Sequence, residues 1–260
     1  MKWQEPDRYE WLTRLSVHGL AWEFLRRNPA FGQIERPVPV RRTISSSLSI
    51  LQTGYDAGAA DAFWGLLIYE SPDRDARNAD IFWHPDVCGS VLPVISSIDT
   101  VSVRERYFDI RKLRCNVTIL RNRSSQNVLF RNNGRFLQLT VAGDCVMRPV
   151  QILANVLPGN SRINTRWRSL RRLDDLVRTK ALRSEMYPPA MCAWRLSRVL
   201  QALDGHLVGA SQREIAVALF GVDRVEEDWA HPGAHLRDQV RRTIKRGRDL
   251  MNGGYLKLLR

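Results

Sequence analysis

The segment from Ala210 to Gly254 constrains this chain most, because it carries the signals of two helices joined by a connector. It opens with the sequence ASQREIAVALFG at residues 210–221. Ser211 and Glu214 have the spacing of a capping box, in which the serine oxygen accepts an amide hydrogen and the glutamate bonds back to the serine amide. Gly221 is a stop signal. The pattern predicts a short helix with defined ends.

A longer helix is predicted after the connector, from His235 to Met251. Apolar or small residues recur in it every three or four positions, which predicts one buried face. They are Leu236, Val240, Thr243 or Ile244, Gly247 and Met251. Most other positions are basic. A short capped helix followed by a basic helix is typical of a helix-turn-helix DNA reader.

The candidate DNA-binding residues lie at the start of the capped helix and off the buried stripe of the basic helix. The N-terminal part of a reading helix usually meets base edges. The candidates for bases are therefore His235, Arg237, Asp238, Arg241 and Arg242. The candidates for phosphates are Lys245, Arg246 and Arg248, and Ser211, Gln212 and Arg213 complete the set. The alternative is a solvated basic face that binds nothing.

The connector at residues 222–233 is longer than the three- or four-residue turn of the minimal motif. Val225 and Trp229 indicate a short helix within it. Its carboxylates, Glu226, Glu227 and Asp228, are interpreted as solvated or as lying against neighbouring arginines rather than as metal ligands.

Charge is the strongest global signal, with a net value of +13. From residue 158 onward, 20 Lys and Arg face 11 Asp and Glu, a net of +9, and the first 157 residues carry the other +4. This asymmetry predicts a polyanion partner for the C-terminal part.

Several other classes of protein are disfavoured. No stretch approaches the roughly 18 apolar residues of a membrane span, and residues 1–7 lack the apolar core of a secretory signal, so a cytoplasmic protein with no membrane partner is expected. The four cysteines are far apart, which favours free thiols over zinc or disulfides. His231 and His235 are separated by a Pro-Gly pair, so no metal and no cofactor is expected.

Enzymes acting on DNA are also disfavoured. A tyrosine recombinase needs an H-x-x-R box, whereas His235 and Arg237 have the wrong spacing. A nuclease needs spaced carboxylates, whereas Asp174 and Asp175 are adjacent. No Gly-rich phosphate loop is present. We therefore expect that the protein is not an enzyme.

The first half of the chain predicts helices and then short strands. Residues 6–28 have helical spacing, residues 30–60 are predicted to be loop, and residues 63–69 and 81–83 to be strands. Residues 128–141 predict a hairpin around Asn133 and Gly134, because Asn-Gly suits the positive φ of a tight turn. Residues 149–157 predict a further strand. Cys115, Val117 and Ile119 alternate with polar neighbours and predict another strand. With the hairpin and the 149–157 strand, it predicts an antiparallel meander of about four strands within residues 100–157.

Helices are predicted again near residues 165–182 and 190–207, the second with Trp194, Leu196, Val199, Leu200, Leu203 and Leu207 in its core stripe. The predicted fold is α+β: an N-terminal helical element with short strands, a small antiparallel sheet, and a C-terminal helical helix-turn-helix domain. The predicted domains are an N-terminal domain at residues 1–98, which the resemblance given next implies to be a regulator domain, and a C-terminal domain at 99–260. The latter has antiparallel strands at about 102–157 and a helical DNA-binding part at about 161–260.

The sequence resembles the FseA-type transcriptional activators of proteobacterial integrative and conjugative elements. The N-terminal similarity lies in PDRY at residues 6–9, AWEFLRRNP at 21–29, FWGL at 63–66 and FWHPDV at 82–87. The C-terminal similarity includes LRRL at 170–173, LDG at 203–205, GASQREIA at 209–216, LFG at 219–221 and LMNGGY at 250–255. Only about residues 30–60 and 90–110 fall outside it.

The resemblance implies a helix-turn-helix activator that acts on promoter DNA and controls excision or conjugative-transfer genes. RNA polymerase is a further expected partner of an activator. It also implies a small antiactivator protein as a partner. It does not fix which residues touch DNA. Two alternatives stay open: a non-activating DNA-binding accessory protein of an excision or relaxosome complex, and a DNA-processing enzyme.

Overall fold

The computed structural model describes residues 3–34, 40–52, 62–98, 107–121, 126–154, 163–230 and 235–260. The helices are α1 (Val17–Leu25), α2 (Pro29–Gly32), α3 (Ile163–Thr179), α4 (Ala193–Leu207), α5 (Gln212–Phe220), α6 (Val222–Asp228) and α7 (His235–Met251). The strands are β1 (Val40–Ser45), β2 (Leu48–Gln52), β3 (Leu92–Ser97), β4 (Asn116–Arg121), β5 (Gln126–Asn132), β6 (Arg135–Gly143) and β7 (Gln151–Ala154). Short 3-10 helices lie at Pro6–Arg14, Ile110–Lys112, Ser184–Met186 and Gly254–Leu259.

The chain forms two compact units. The helical unit contains residues up to 33 and residues 188–258, and the sheet unit contains residues 34–187 and 259–260. Each is described separately below. The boundary predicted at residue 98 divides the chain along its sequence, whereas these units are defined by which residues contact one another. The predicted boundary therefore stays a prediction.

The sheet unit contains a mixed sheet, not the small antiparallel sheet that the sequence predicted. Its seven described strands have the order β1-β2-β4-β5-β6-β3-β7. Two of the pairings are parallel. In the first, Leu48 of β2 lies opposite Val117 of β4; in the second, Leu92 of β3 lies opposite Leu139 of β6. The antiparallel meander is therefore limited to β4, β5 and β6.

The strands missed by the prediction have weak local signals. β1 and β2 lie in the region predicted to be loop. Because β1 is exposed along its whole length, it needs no alternation of apolar and polar residues, and alternation is the signal that identifies a half-buried strand. β3 contains Pro93, a residue that lacks an amide hydrogen and argues against a strand inside a sheet. These segments become strands because they pair with strands from distant parts of the chain, and the local sequence does not show that pairing.

The predicted hairpin is confirmed. β5 and β6 pair in antiparallel register from Gln126 opposite Val141 to Asn132 opposite Arg135. Asn133 and Gly134 connect them with φ values of 48° and 74°. Asparagine and glycine tolerate this left-handed backbone better than other residues, so the sequence alone was sufficient to locate the turn.

Two other strand predictions were wrong. Residues 63–69 and 81–83 contribute only an isolated antiparallel bridge between Leu66 and Trp83. Two backbone hydrogen bonds accompany this bridge. A side chain bonds to the same segment: the Trp83 amide donates to the Gln138 oxygen at 3.0 Å, and the Gln138 amide donates back to the Trp83 carbonyl at 2.8 Å. Part of the strand predicted at 149–157 is present as β7, which pairs with β3 rather than β6; residues 155–157 lie outside the described residues.

Apolar side chains cover both faces of the sheet. Val117, Ile119 and Phe130 point to the face that packs against Leu173 and Leu176 of α3. Their neighbours on the other face pack against apolar residues from the segment before β3; this cluster contains Leu51, Leu120 and Leu129 with Ile68 and Phe82. Burial on both sides explains why these strands read as nearly continuous apolar runs.

The helical unit encloses a buried cluster of charges. Arg27 donates to Asp204 of α4 at 2.6 and 2.9 Å and to the fully buried Glu23 of α1 at 2.7 Å. Tyr9 donates to the same Asp204 at 2.7 Å. Burial, together with the charge of Asp204, raises the pKa of Tyr9, so the phenol remains a donor. The cluster connects the N-terminal segment to α4.

Replacing Arg27 should destabilise the helical unit strongly. Arg27→Ala leaves Asp204 buried without its cation, while Glu23 keeps its ion pair with Arg26 at 2.8 Å. Breaking a buried pair by removing one partner typically costs about 3–5 kcal/mol. Arg14→Ala is the matched control, because Arg14 pairs with Glu10 at the surface, where both side chains are more than half exposed, and such pairs contribute below about 1 kcal/mol. Urea unfolding of both variants measures the difference. Equal losses of stability would contradict the buried-pair assignment.

Candidate nucleic-acid interface

The basic helix α7 has the amphipathic pattern that the sequence predicted. Its buried residues are Leu236, Val240, Ile244, Gly247 and Met251, the predicted stripe with Ile244 rather than Thr243 as its middle member. The candidates His235, Arg237, Arg241, Arg242, Lys245, Arg246 and Arg248 are all exposed, and Asp238 is half-buried. The helix therefore directs one apolar stripe inward and a cationic surface outward.

A glycine allows α7 to lie directly against α4. A Cβ atom added at Gly247 would meet the Leu203 Cβ at 3.0 Å and the Val199 carbonyl oxygen at 3.2 Å. Both contacts are tighter than side chains normally tolerate, since protein interiors are close-packed. The predicted role of Gly247 in the stripe thus has a specific cause: it is a point of close helix approach.

The capped helix α5 begins and ends as predicted. The Ser211 hydroxyl accepts the Glu214 amide at 3.2 Å, and the Ser211 amide donates to the Glu214 carboxylate at 2.8 Å. This second hydrogen bond holds the pKa of Glu214 below its ordinary value. Gly221 ends the helix with φ of 90°, a conformation that favours glycine.

The connector contains the short helix that Val225 and Trp229 predicted. α6 follows α5 after Gly221 alone, and Val225 is its buried residue. Glu226 and Glu227 are exposed, while Asp228 lies 3.5 Å from Arg224. The acidic residues are thus solvated or paired with an arginine, as interpreted from the sequence. Residues 231–234, including His231, lie outside the described residues.

Some of the candidate residues come together on one side of α7. Arg241, Lys245 and Arg248 line an open cleft of about 460 Å³ together with Gln212 from the start of α5. Asp238 pairs with Arg241 at 3.0 Å on the exposed surface. The first turn of α5 therefore adjoins the cations of α7 on this side, hereafter the Gln212 side, where Asp249 also lines the cleft.

Other candidates lie elsewhere. Arg242 and Arg246 line a different cleft, of about 610 Å³, with residues from α4, α5 and α6. Ser211 and Arg213 line a third cleft, with Gln4 and Pro6, so the structure does not group them with the cations of α7. The helix thus separates two basic clefts.

Sequence reasoning missed several residues of the second cleft. Trp194 was predicted to be core but is 61% exposed, and Leu207 is 43% exposed; only the middle of the predicted α4 stripe is buried. Trp194 instead stacks with Arg198, whose guanidinium carbon lies 5.2 Å from the ring centroid. Arg195 and Arg224 line the same cleft. The signal available in the sequence was the pair of cations that follow Trp194 in α4, Arg195 and Arg198.

Other kinds of site are not found in the described part of the chain. No helix there is long and apolar enough to cross a membrane. No group of three or more His, Cys, Asp or Glu residues there could hold a metal ion. All four cysteines are free thiols, with Cys88 and Cys115 buried and Cys145 and Cys192 half-buried.

Comparison with protein families finds two matches. Residues 156–260 are similar to a family described as a T6SS transcription factor DNA-binding domain. Residues 2–66 are similar to a proteobacterial transcriptional regulator-like domain. No curated protein matches the chain. The two matches support a DNA-binding transcription factor, and the first contains all of α4 to α7.

Filling the space at Gly247 should disturb the position of α7. Gly247→Val forces a branched side chain against Leu203 and Val199, and overpacking of this kind typically costs about 1–3 kcal/mol. Arg248→Val is the control, because it places the same side chain in the same helix at an exposed position. Thermal unfolding should show a lower midpoint for Gly247→Val only. Valine favours a helix more than glycine does, so a lower midpoint in Gly247→Val reports the packing clash. An unchanged midpoint in that variant would contradict the close approach.

Proposed function

We propose that this protein is a sequence-specific transcriptional activator that reads the major groove of promoter DNA with α7. The observation that carries the proposal is the division of α7 into a buried stripe and an exposed cationic surface. This helix lies within the region that is similar to a transcription factor DNA-binding domain. The FseA-type resemblance supports genes for excision or conjugative transfer of an integrative and conjugative element as targets.

The geometry suits a major groove. The groove is about 12 Å wide and admits one α-helix, and α7 presents cations over its whole described length. Arg242 lies on the exposed surface in the middle of the helix, and an arginine there can form forked hydrogen bonds to guanine. Lys245 lies one turn away from Arg241 on the Gln212 side, and its single ammonium suits a phosphate better than a base edge.

The proposal extends to partners. As an activator on promoter DNA, the protein is proposed to contact RNA polymerase, and the FseA-type resemblance supports control by a small antiactivator protein. Either partner matters only if the chain binds a defined operator and changes transcription, so these two properties are tested first.

The test begins with selection of bound sequences from a random duplex library, followed by footprinting of the selected site. A minimal promoter carrying that site then drives a reporter gene. We expect a discrete protected site and increased transcription. Protection without a change in transcription would support an accessory protein instead. Magnesium-dependent cleavage of plasmid DNA that is abolished by Asp174→Asn or Glu227→Gln would support an enzyme.

Two substitutions on α7 should have different effects on DNA binding. Arg242→Ala should weaken binding to the selected site by about 1–3 kcal/mol and relax specificity at one base pair, because it removes a forked hydrogen bond to a base. Lys245→Ala should weaken binding to all duplexes about equally and reduce the salt dependence, because it removes an ion pair with a phosphate. Fluorescence anisotropy on specific and scrambled duplexes separates the two. If neither variant changes affinity, α7 is only a solvated surface.

A further inference from the structure

The cleft on the side of α7 opposite to Gln212 has an unusual concentration of arginines. It lies among α4, the end of α5, the start of α6 and α7, all within the helical unit. Six of its lining residues carry the argument: Trp194, Arg195, Arg198, Arg224, Arg242 and Arg246. None of the described residues that line it is acidic. We call it the arginine cleft.

Aromatic rings fix the positions of two of these arginines. The Arg198 guanidinium lies 4.8 Å from the Phe220 ring centroid, and the Arg224 guanidinium lies 5.4 Å from the same centroid. Arg198 also stacks on Trp194 and donates to the Leu219 carbonyl. Cation–π contacts of this kind order a guanidinium and leave its remaining N–H groups able to donate.

The arrangement is electrostatically unfavourable without an anion. Burial lowers the pKa of Arg198, and the positive charge of Arg224 lowers it further. Within the described chain, the carboxylate paired with a cleft arginine is Asp228, which lies 3.5 Å from Arg224 and is about half exposed. The cleft arginines are held close together and repel one another. This repulsion is reduced when an anion binds among them.

We infer that the arginine cleft holds the sugar-phosphate backbone of one strand of the duplex, beside α7. This inference rests on the proposed function, because it extends the same interface. Arg242 and Arg246 belong both to the cleft and to the exposed surface of α7, so the cleft is continuous with the proposed reading surface. Duplex DNA is favoured over a small anion because the cleft is open and extends along two turns of α7.

The cleft also gives α7 a phosphate-binding wall on each side. Lys245 and Arg248 lie on the Gln212 side, and Arg195, Arg198 and Arg224 lie on the other. A helix inserted in a major groove has one backbone strand on either side of it. The two basic clefts therefore match the two strands, and α4 and α6 supply contacts that the minimal two-helix motif lacks.

The test is the salt dependence of binding by the full chain carrying Arg195→Ala and Arg224→Ala. Removing one arginine–phosphate ion pair should reduce the slope of log affinity against log salt by about 0.9. We therefore expect the slope to fall in magnitude by almost twice that value, equally on specific and scrambled duplexes. Arg8→Ala with Arg14→Ala is the control, because it removes the same charge at exposed positions outside the lining of the cleft.

Two further variants keep the test decisive. Arg195→Lys with Arg224→Lys retains the charge and should retain most of the slope. If circular dichroism shows that Arg224→Ala disturbs folding, Arg195→Ala alone should still reduce the slope by about 0.9, since Arg195 is exposed.

The outcomes separate this inference from the proposed function. If the wild-type chain protects its operator but the double variant has the slope of the control, the inference is wrong and the proposed function stands. The inference is also wrong if the double variant changes only stabilisation by inorganic phosphate, because the cleft then holds a small anion. If the wild-type chain binds no duplex, the proposed function fails, and the inference fails with it.

Discussion

The contact between α4 and α7 at Gly247 determines the rest of the helical unit. Because Gly247 has no side chain, α7 lies close against Leu203 and Val199, and its stripe from Leu236 to Met251 is buried. Once the stripe is fixed, the positions of all other α7 side chains follow from the helical repeat. Arg241 and Lys245 then fall on one side and Arg242 and Arg246 on the other.

Arginine has two opposite environments in this unit. Arg27 is enclosed by Glu23 and Asp204, and those partners make its burial tolerable, since an unpaired buried charge is very unfavourable. Arg198 and Arg224 share a cleft with other arginines and are ordered mainly by the Phe220 ring. The first arrangement contributes to the stability of the fold. In the second, Asp228 lies against Arg224, and the arginines of the cleft still outnumber their carboxylate partners, which is the state a polyanion stabilises.

The elements predicted from the sequence are those with strong local signals. Examples are the capping box at Ser211, the Asn-Gly turn at residues 133–134 and the stripe of α7. Each depends on residues that are near one another in the sequence. The mixed sheet does not. Its parallel pairings join β2 to β4 and β3 to β6, which are distant in sequence, and its exposed edge strand β1 lacks any alternation. Local patterns cannot reveal such pairings, because loop closure and long-range burial decide them.

For the candidate interface, the sequence by itself determined which helix is basic, which of its faces is buried, and where its capped neighbour begins and ends. Those features follow from residue type and helical spacing. Only the tertiary structure decided that Gln212 joins Lys245, that Arg213 lies elsewhere, and that Trp194 leaves the core to stack on Arg198. The reason is physical: a helix repeat fixes directions around one axis, whereas the grouping of charges from α4, α5, α6 and α7 depends on how those axes pack.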